Sequence, residues 1–139
     1  MRTIKTLALT AGVLSSSVLH AGDIAVTIDN LTANKGKIYA SLCQQNDFMR
    51  GRCGFEIVRQ VLQPQQTLIF NDVVAGTYAV SVFYDVNDNG KLDTNLFGIP
   101  KEPTGVSNNV TGRNGPPKFE DASFEVKTGQ SIQLQIRVF

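Results

Sequence analysis

From Ile24 onward the chain alternates apolar and polar residues with a period of two, in short runs cut by Gly, Pro, Asn or Asp. Ile24, Val26 and Ile28 fall on one face, with Ala25, Thr27 and Asp29 on the other. Ile38, Ala40 and Leu42 repeat the pattern, as do Leu68 and Phe70, then Tyr78, Val80, Val82 and Tyr84. Ala122, Phe124 and Val126 form a short late run. Ile132, Leu134, Ile136 and Val138 close the chain against Gln133, Gln135 and Arg137. Successive side chains of a strand point to opposite faces, so each run buries one face and wets the other. Residues Glu56 to Leu62 fit a strand or one to two helical turns; Pro64 and the neighbouring strands favour a strand. No long helical period occurs after residue 21. The pattern predicts an all-β fold, a single antiparallel β-sandwich of about six to seven strands with one long ordered loop. Immunoglobulin-like and transthyretin-like arrangements both fit.

The first 21 residues stand apart. Arg2 and Lys5 give a short basic region, Leu7 to Leu19 is mostly small or apolar, and Leu19-His20-Ala21 ends in a small residue suited to cleavage. The apolar run is short and is broken by Ser15-Ser16-Ser17, so it makes a poor membrane span. The expectation is a signal peptide over 1–21 and a single soluble, exported domain over 22–139. Removing 21 of the 139 residues leaves 118, enough for one hydrophobic core.

Processing also changes which chemistry is available. Arg2 and Lys5 leave, so 11 basic residues face 12 acidic ones, and nothing favours nucleic acid or an anionic membrane as partner. His20, the single histidine, leaves as well. Ser-His and Cys-His nucleophiles and His-based zinc or copper sites are thereby excluded. Trp is absent. Two cysteines remain, Cys43 and Cys53, and in an exported chain an even pair reads as a disulfide. The alternative, a redox pair, lacks the C-x-x-C spacing.

The alternation stops at Asp85 and resumes only after Lys118. These 34 residues are rich in Gly, Pro and Asn, yet Leu92, Leu96, Phe97, Ile99 and Val106 recur through them. A segment this long inside a compact domain is functional or disordered. The recurring apolar residues predict an ordered loop packed on one end of the sandwich.

That loop opens on Asp85-Val86-Asn87-Asp88-Asn89-Gly90-Lys91-Leu92-Asp93. Calcium is a hard cation that takes oxygen ligands from alternating positions of a tight turn. Asp85, Asn87 and Asn89 would supply side-chain oxygens, Lys91 its backbone carbonyl, and Asp93 a direct or water-mediated contact. Gly90 would permit the turn and Leu92 would anchor it. Calcium is therefore the cofactor the spacing suggests. Leu96 stands where an EF-hand has its bidentate Glu, so another oxygen donor is needed, from Asp88, Glu102, Glu120 or Asp121. With two acids among the ligands the affinity would be modest, suited to extracellular calcium. The competing reading is a metal-free turn, because Asn89-Gly90 alone signals a type I′ hairpin. It leaves the register of Asp85, Asn87 and Asp93 unexplained.

Gly76-Thr77-Tyr78-Ala79-Val80, the Asp85–Asn95 stretch, Gly98-Ile99-Pro100-Lys101-Glu102, Gly105 with Ser107-Asn108-Asn109, and Gly115-Pro116-Pro117 with Phe119-Glu120-Asp121-Ala122 form a set. Through these residues the chain resembles domain-of-unknown-function family 2141, small exported bacterial proteins. The resemblance covers about Asp23 to the end. Family members often carry His before the first Asp, where Tyr84 stands here. The resemblance implies a bacterial envelope location, periplasmic or extracellular, and a single domain. It implies no activity.

No catalytic residue is assigned. The leading expectation is a non-enzymatic β-sandwich whose calcium-ordered loop presents a surface, including Glu102, Ser107, Asn108 and Asn109, to a ligand or an envelope partner. A carboxylate-based or calcium-assisted enzyme acting on polysaccharide or phosphoester is the second reading. It requires two carboxyl groups facing one cleft. A purely structural module is the third. Tyr78 and Tyr84 share the apolar face and are expected in the core. Phe139 ends a run whose outward face carries Gln133, Gln135 and Arg137, the wrong phase for a lipid-facing barrel strand.

Overall fold

The computed structural model describes Gly12 and residues 21–139. The segment expected as a signal peptide, 1–21, otherwise lies outside the described residues.

The alternating runs become strands. They are β1 (Gly22–Asp29), β2 (Lys37–Cys43), β3 (Phe55–Gln60), β4 (Gln66–Val73), β5 (Gly76–Asp85), β6 (Thr104–Val106), β7 (Phe124–Val126) and β8 (Ile132–Arg137). A 3₁₀ turn at Ser107–Asn109 and a single helical turn, α1 (Phe119–Ala122), complete the elements. The ambiguous 56–62 segment is a strand, β3, and its mostly exposed residues suit the edge position it takes.

Two sheets pack as a β-sandwich. One has the order β4-β1-β8, the other β3-β2-β5-β6, with β7 also pairing β5. β7 and β6 lie end to end along the same edge of β5, against Gly76–Tyr78 and Ser81–Phe83. One pairing departs from the antiparallel expectation: β1 and β8 run parallel, from Ile24↔Ile132 to Asp29↔Arg137. The strands are far apart in sequence, so no tight turn dictates their direction.

The core lies between the sheets. Ile24, Val26 and Ile28 of β1 meet Ile38, Ala40 and Leu42 of β2, Val80, Val82 and Tyr84 of β5, and Phe70 and Ile136. Each fully buried aliphatic side chain contributes about 1.5–3 kcal/mol by leaving water. Tyr78 and Tyr84 are in this core, and both hydroxyls are satisfied. Tyr78 donates to the Val74 carbonyl at 2.9 Å, and Tyr84 to the Lys35 carbonyl at 2.8 Å.

A second, smaller cluster sits on the outer face of the β2–β5 sheet. Cys43, Phe48, Ala79, Val106 and Ala122 are buried there, with Phe119 packed against them. The Cys43–Cys53 disulfide closes the loop that supplies Phe48, with Cα atoms 4.8 Å apart. This cluster covers one end of the outer face. The other end, toward Asp85, carries the features described next.

The 34-residue segment after β5 is ordered differently from the expectation. It contains β6 and the 3₁₀ turn and ends at Lys118, immediately before α1. Val106 is buried and Leu92 half-buried, but Leu96, Phe97 and Ile99 face solvent, at 101%, 88% and 58% exposure. The reason is local. The tip closes on its own polar groups: the Asn95 side-chain oxygen accepts the N–H groups of Phe97 and Ile99, and Asn95 N–H donates to the Ile99 carbonyl. The backbone is satisfied without collapse of the apolar side chains onto the sheet.

Candidate metal loop and adjoining cleft

β5 delivers Asp85 to its last position, fully buried at 0% exposure. The turn that follows is built around its carboxylate. Oδ1 accepts the Asn89 N–H at 3.1 Å and Oδ2 accepts the Gly90 N–H at 2.8 Å. Asn87 Oδ1 accepts the Asn89 N–H at 3.3 Å, and Asn89 Oδ1 accepts the Lys91 N–H at 3.1 Å. The side chains at alternating positions are thus turned inward by the backbone they follow, as Asn and Asp readily do. Asp88 (φ 57°) and Gly90 (φ 81°) take the left-handed region that so tight a turn needs. A type I′ turn at Asn89-Gly90 would need positive φ at both residues, and Asn89 does not have it. The segment is a compact oxygen-lined loop, not a hairpin turn.

Asp93 closes the loop. Its Oδ2 accepts the side-chain amides of Asn87 at 2.8 Å and Asn89 at 2.7 Å. The hydrogen bond from Asn87 holds the Asp93 carboxyl below its ordinary value, against some desolvation. The Asn89 bond and the Lys91 and Lys101 charges add to the effect. Asp88 points away and pairs with Lys37 at 2.9 Å. Lys91 is exposed and is tied to the loop through its N–H on Asn89.

Glu102 joins this group from across the chain. It is 9% exposed. Its Oε1 accepts the Val86 N–H at 3.1 Å and its Oε2 the Asp93 N–H at 3.2 Å. One carboxylate therefore pins both ends of the loop. The hairpin of Thr94–Pro100, closed by the Lys101 N–H on the Asp93 carbonyl at 2.8 Å, brings it there. Glu120 and Asp121, the other donors considered, lie elsewhere, on α1.

Asp85, Asn87, Asn89, Lys91 and Asp93 are thus brought together. The other loop residues, Ser107, Asn108 and Asn109, are not with them. Ser107 Oγ accepts the Val80 N–H and donates to the Ala122 carbonyl. Asn108 donates to the Asp121 and Ser123 carbonyls. Asn109 exchanges bonds with β8, to the Gln135 carbonyl and from the Arg137 N–H. Their polar atoms tie β5, α1 and β8 together.

The donor set can hold a hard cation. Each Asn carbonyl oxygen keeps a second lone pair beyond its backbone bond. Asp93 takes both amide bonds on one oxygen. Among the described residues no three His, Cys, Asp or Glu side chains gather as a metal group. A cation here would draw on amide and backbone oxygens as much as on carboxylates, which suits calcium rather than zinc or copper.

Beside this loop lies a cleft of about 750 Å³. Its floor is the outer face of β2 and β5, where Tyr39 and Phe83 stack with ring centroids 4.5 Å apart and planes 7° from parallel. Ser41 and Ser81, paired across the same strands, leave a hollow next to the rings. Leu92, Phe97 and Ile99 wall one side, and Arg113 and Pro116 come from the 110–117 segment. Sequence reasoning passed over this cleft. Its signal was present in Tyr39 and Phe83, two aromatics at the outward phase of their strands.

Comparison with known families gives one match. The profile of a family described as an uncharacterized protein conserved in bacteria (DUF2141) matches residues 26–133. No curated protein and no solved structure matches the chain.

Proposed function

The chain belongs to this bacterial family, and from that premise we propose that it is an exported, non-enzymatic β-sandwich protein. Its Asp85–Asp93 loop binds calcium and, so ordered, presents a binding surface to a ligand or envelope partner. One observation carries the reading. Four oxygen-bearing side chains in calcium-loop register, Asp85, Asn87, Asn89 and Asp93, are turned into one compact turn whose ends a fifth, Glu102, pins. Turn propensity accounts for Asn and Asp side chains that bond their own backbone, but it does not require the distant Glu102 to close the same loop. The modest number of acids suits calcium at extracellular levels, on the order of 10⁻⁴–10⁻³ M.

Export is supported by the basic and apolar N-terminal segment and by the Cys43–Cys53 disulfide, a bond that persists in oxidising compartments. The binding reading is favoured over a carboxylate-based enzyme by the use made of Glu102. It is 9% exposed and each of its oxygens accepts a backbone N–H of the loop, so it serves the fold rather than an open cleft.

Thermal melting with calcium and with chelator tests the proposal. Calcium at a hundredfold excess over its dissociation constant stabilises the native state by about 2.7 kcal/mol. A melting temperature unchanged up to millimolar calcium removes the metal from the account.

A further inference from the structure

The cleft beside the loop has a chemistry of its own. Its volume of about 750 Å³ lies in the range of small-molecule sites, roughly 300–1,000 Å³. Its floor offers the stacked rings of Tyr39 and Phe83 beside the small Ser81, and the exposed Phe97 and Ile99 also line it. The Asn95 side chain satisfies their backbone N–H groups and both side chains are exposed, so apolar surface stands uncovered. Such surface, when contiguous, marks a place where something binds.

Charge narrows the occupant. Arg113 is the one charged side chain among those lining the cleft, and no Asp or Glu side chain lines it. A ligand with an apolar body and a single negative group meets no opposing Asp or Glu side chain there and finds one guanidinium suited to a carboxylate or sulfonate, while the oxygen of Phe139, which also lines the cleft, is taken up by the Thr104 N–H.

We propose that this cleft binds a free amphipathic monoanion, with the apolar body against the Tyr39–Phe83 shelf, Phe97 and Ile99 and the anionic group at Arg113. The inference goes beyond the calcium reading: the cleft adjoins the loop, which lends it Leu92, and does not depend on calcium.

The test uses the native protein with two probes, the fluorescent anion 1-anilinonaphthalene-8-sulfonate and laurate as its competitor. Saturable one-to-one binding, displaced by laurate, is expected. Dodecanol, with a comparable chain and no charge, should compete roughly tenfold less well. Arg113→Ala should erase the difference between laurate and dodecanol. Ser81→Trp, which fills the hollow, should weaken both by about tenfold or more. Phe97→Ser, on the exposed tip, gives the same direction in a variant whose fold is not at risk. Asp93→Ala should abolish the calcium response and keep laurate binding, so a failure of the metal and a failure of the cleft are read separately. Laurate bound no better than dodecanol overturns the proposal. So does binding unaffected by both Ser81→Trp and Phe97→Ser, or binding only to anionic phospholipid vesicles and not to monomeric laurate.

Discussion

Replacing Glu102 by Ala asks whether one carboxylate holds the loop closed. In the structure it accepts the Val86 N–H at one end of the loop and the Asp93 N–H at the other. Hydrogen bonds to a charged group contribute about 1.5–3 kcal/mol each. Both are partly buried, and water can reach them in part, so the low end applies and the two together come to about 3 kcal/mol. Unfolding entropy is roughly 2.1 cal/mol/K per residue. For the 118 residues from 22 to 139 this is about 0.25 kcal/mol/K, and the loss translates to a fall of roughly 12 °C in melting temperature. Glu102→Gln keeps one acceptor and sets an N–H₂ against the second backbone donor, so it should lose about half as much or more. The assay is thermal melting in chelator, where metal plays no part, followed by the same melts in calcium. A Glu102→Ala protein melting within about 2 °C of the parent in chelator would refute the reasoning, because the two bonds would then not be holding the turn.

The remaining predictions concern the frame around the loop. Gly36 has φ +69°, and a Cβ there would lie 2.2 Å from the Asp85 carbonyl oxygen. Gly36→Ala should therefore cost about 2 kcal/mol or more in denaturant unfolding, and a gain of the kind seen at unstrained glycines would contradict this. The double variant Cys43→Ser, Cys53→Ser should lose about 2.8 kcal/mol through release of its short loop, measured as a shift in denaturant midpoint. Asp29 is held below its ordinary 3.8 by hydrogen bonds from Gln135 and Gln65 and by the Arg137 charge, against some desolvation. Its contribution is present above 3.8 and is lost as pH falls through the lower folded value. The stability gap between the parent and Asp29→Ala should therefore be constant near neutral pH and close below about pH 4. A gap that widens with acid would reverse the assignment.

The inward faces of β1, β2, β4, β5 and β8 were legible because burial imposes a period of two on residue choice. β6 was not. Its Thr104-Gly105-Val106 is too short to show a period, and its pairing with Ser81–Phe83 comes from where the long segment returns. The parallel direction of β1 and β8 was hidden for a related reason, since alternation specifies which face is inward and not which way a distant partner runs. Leu96, Phe97 and Ile99 were expected to anchor the loop. Composition cannot show that Asn95 satisfies the tip's backbone without them.

The candidate loop divides the same way. The register of Asp85, Asn87, Asn89 and Asp93 is a local property and reads directly from the chain. The part played by Glu102 is not local, because the Thr94–Pro100 hairpin carries it back onto Val86 and Asp93. Without the structure, Asp85→Ala would be expected to leave the chelated protein about equally stable. Its burial and its two bonds to Asn89 and Gly90 now give Asp85 a share in the metal-free fold as well. That makes Asp93 the cleaner position for separating metal binding from folding, since it lies at the loop's rim and serves it through side-chain amides.

Calorimetric titration of calcium into the native protein and into Asp93→Ala tests the central claim most directly. The account predicts one saturable site in the native protein, with a dissociation constant on the order of 10⁻⁴–10⁻³ M, and its loss in a variant that stays folded. No binding in the native protein across that range, or equal binding by the Asp93→Ala protein, would contradict it.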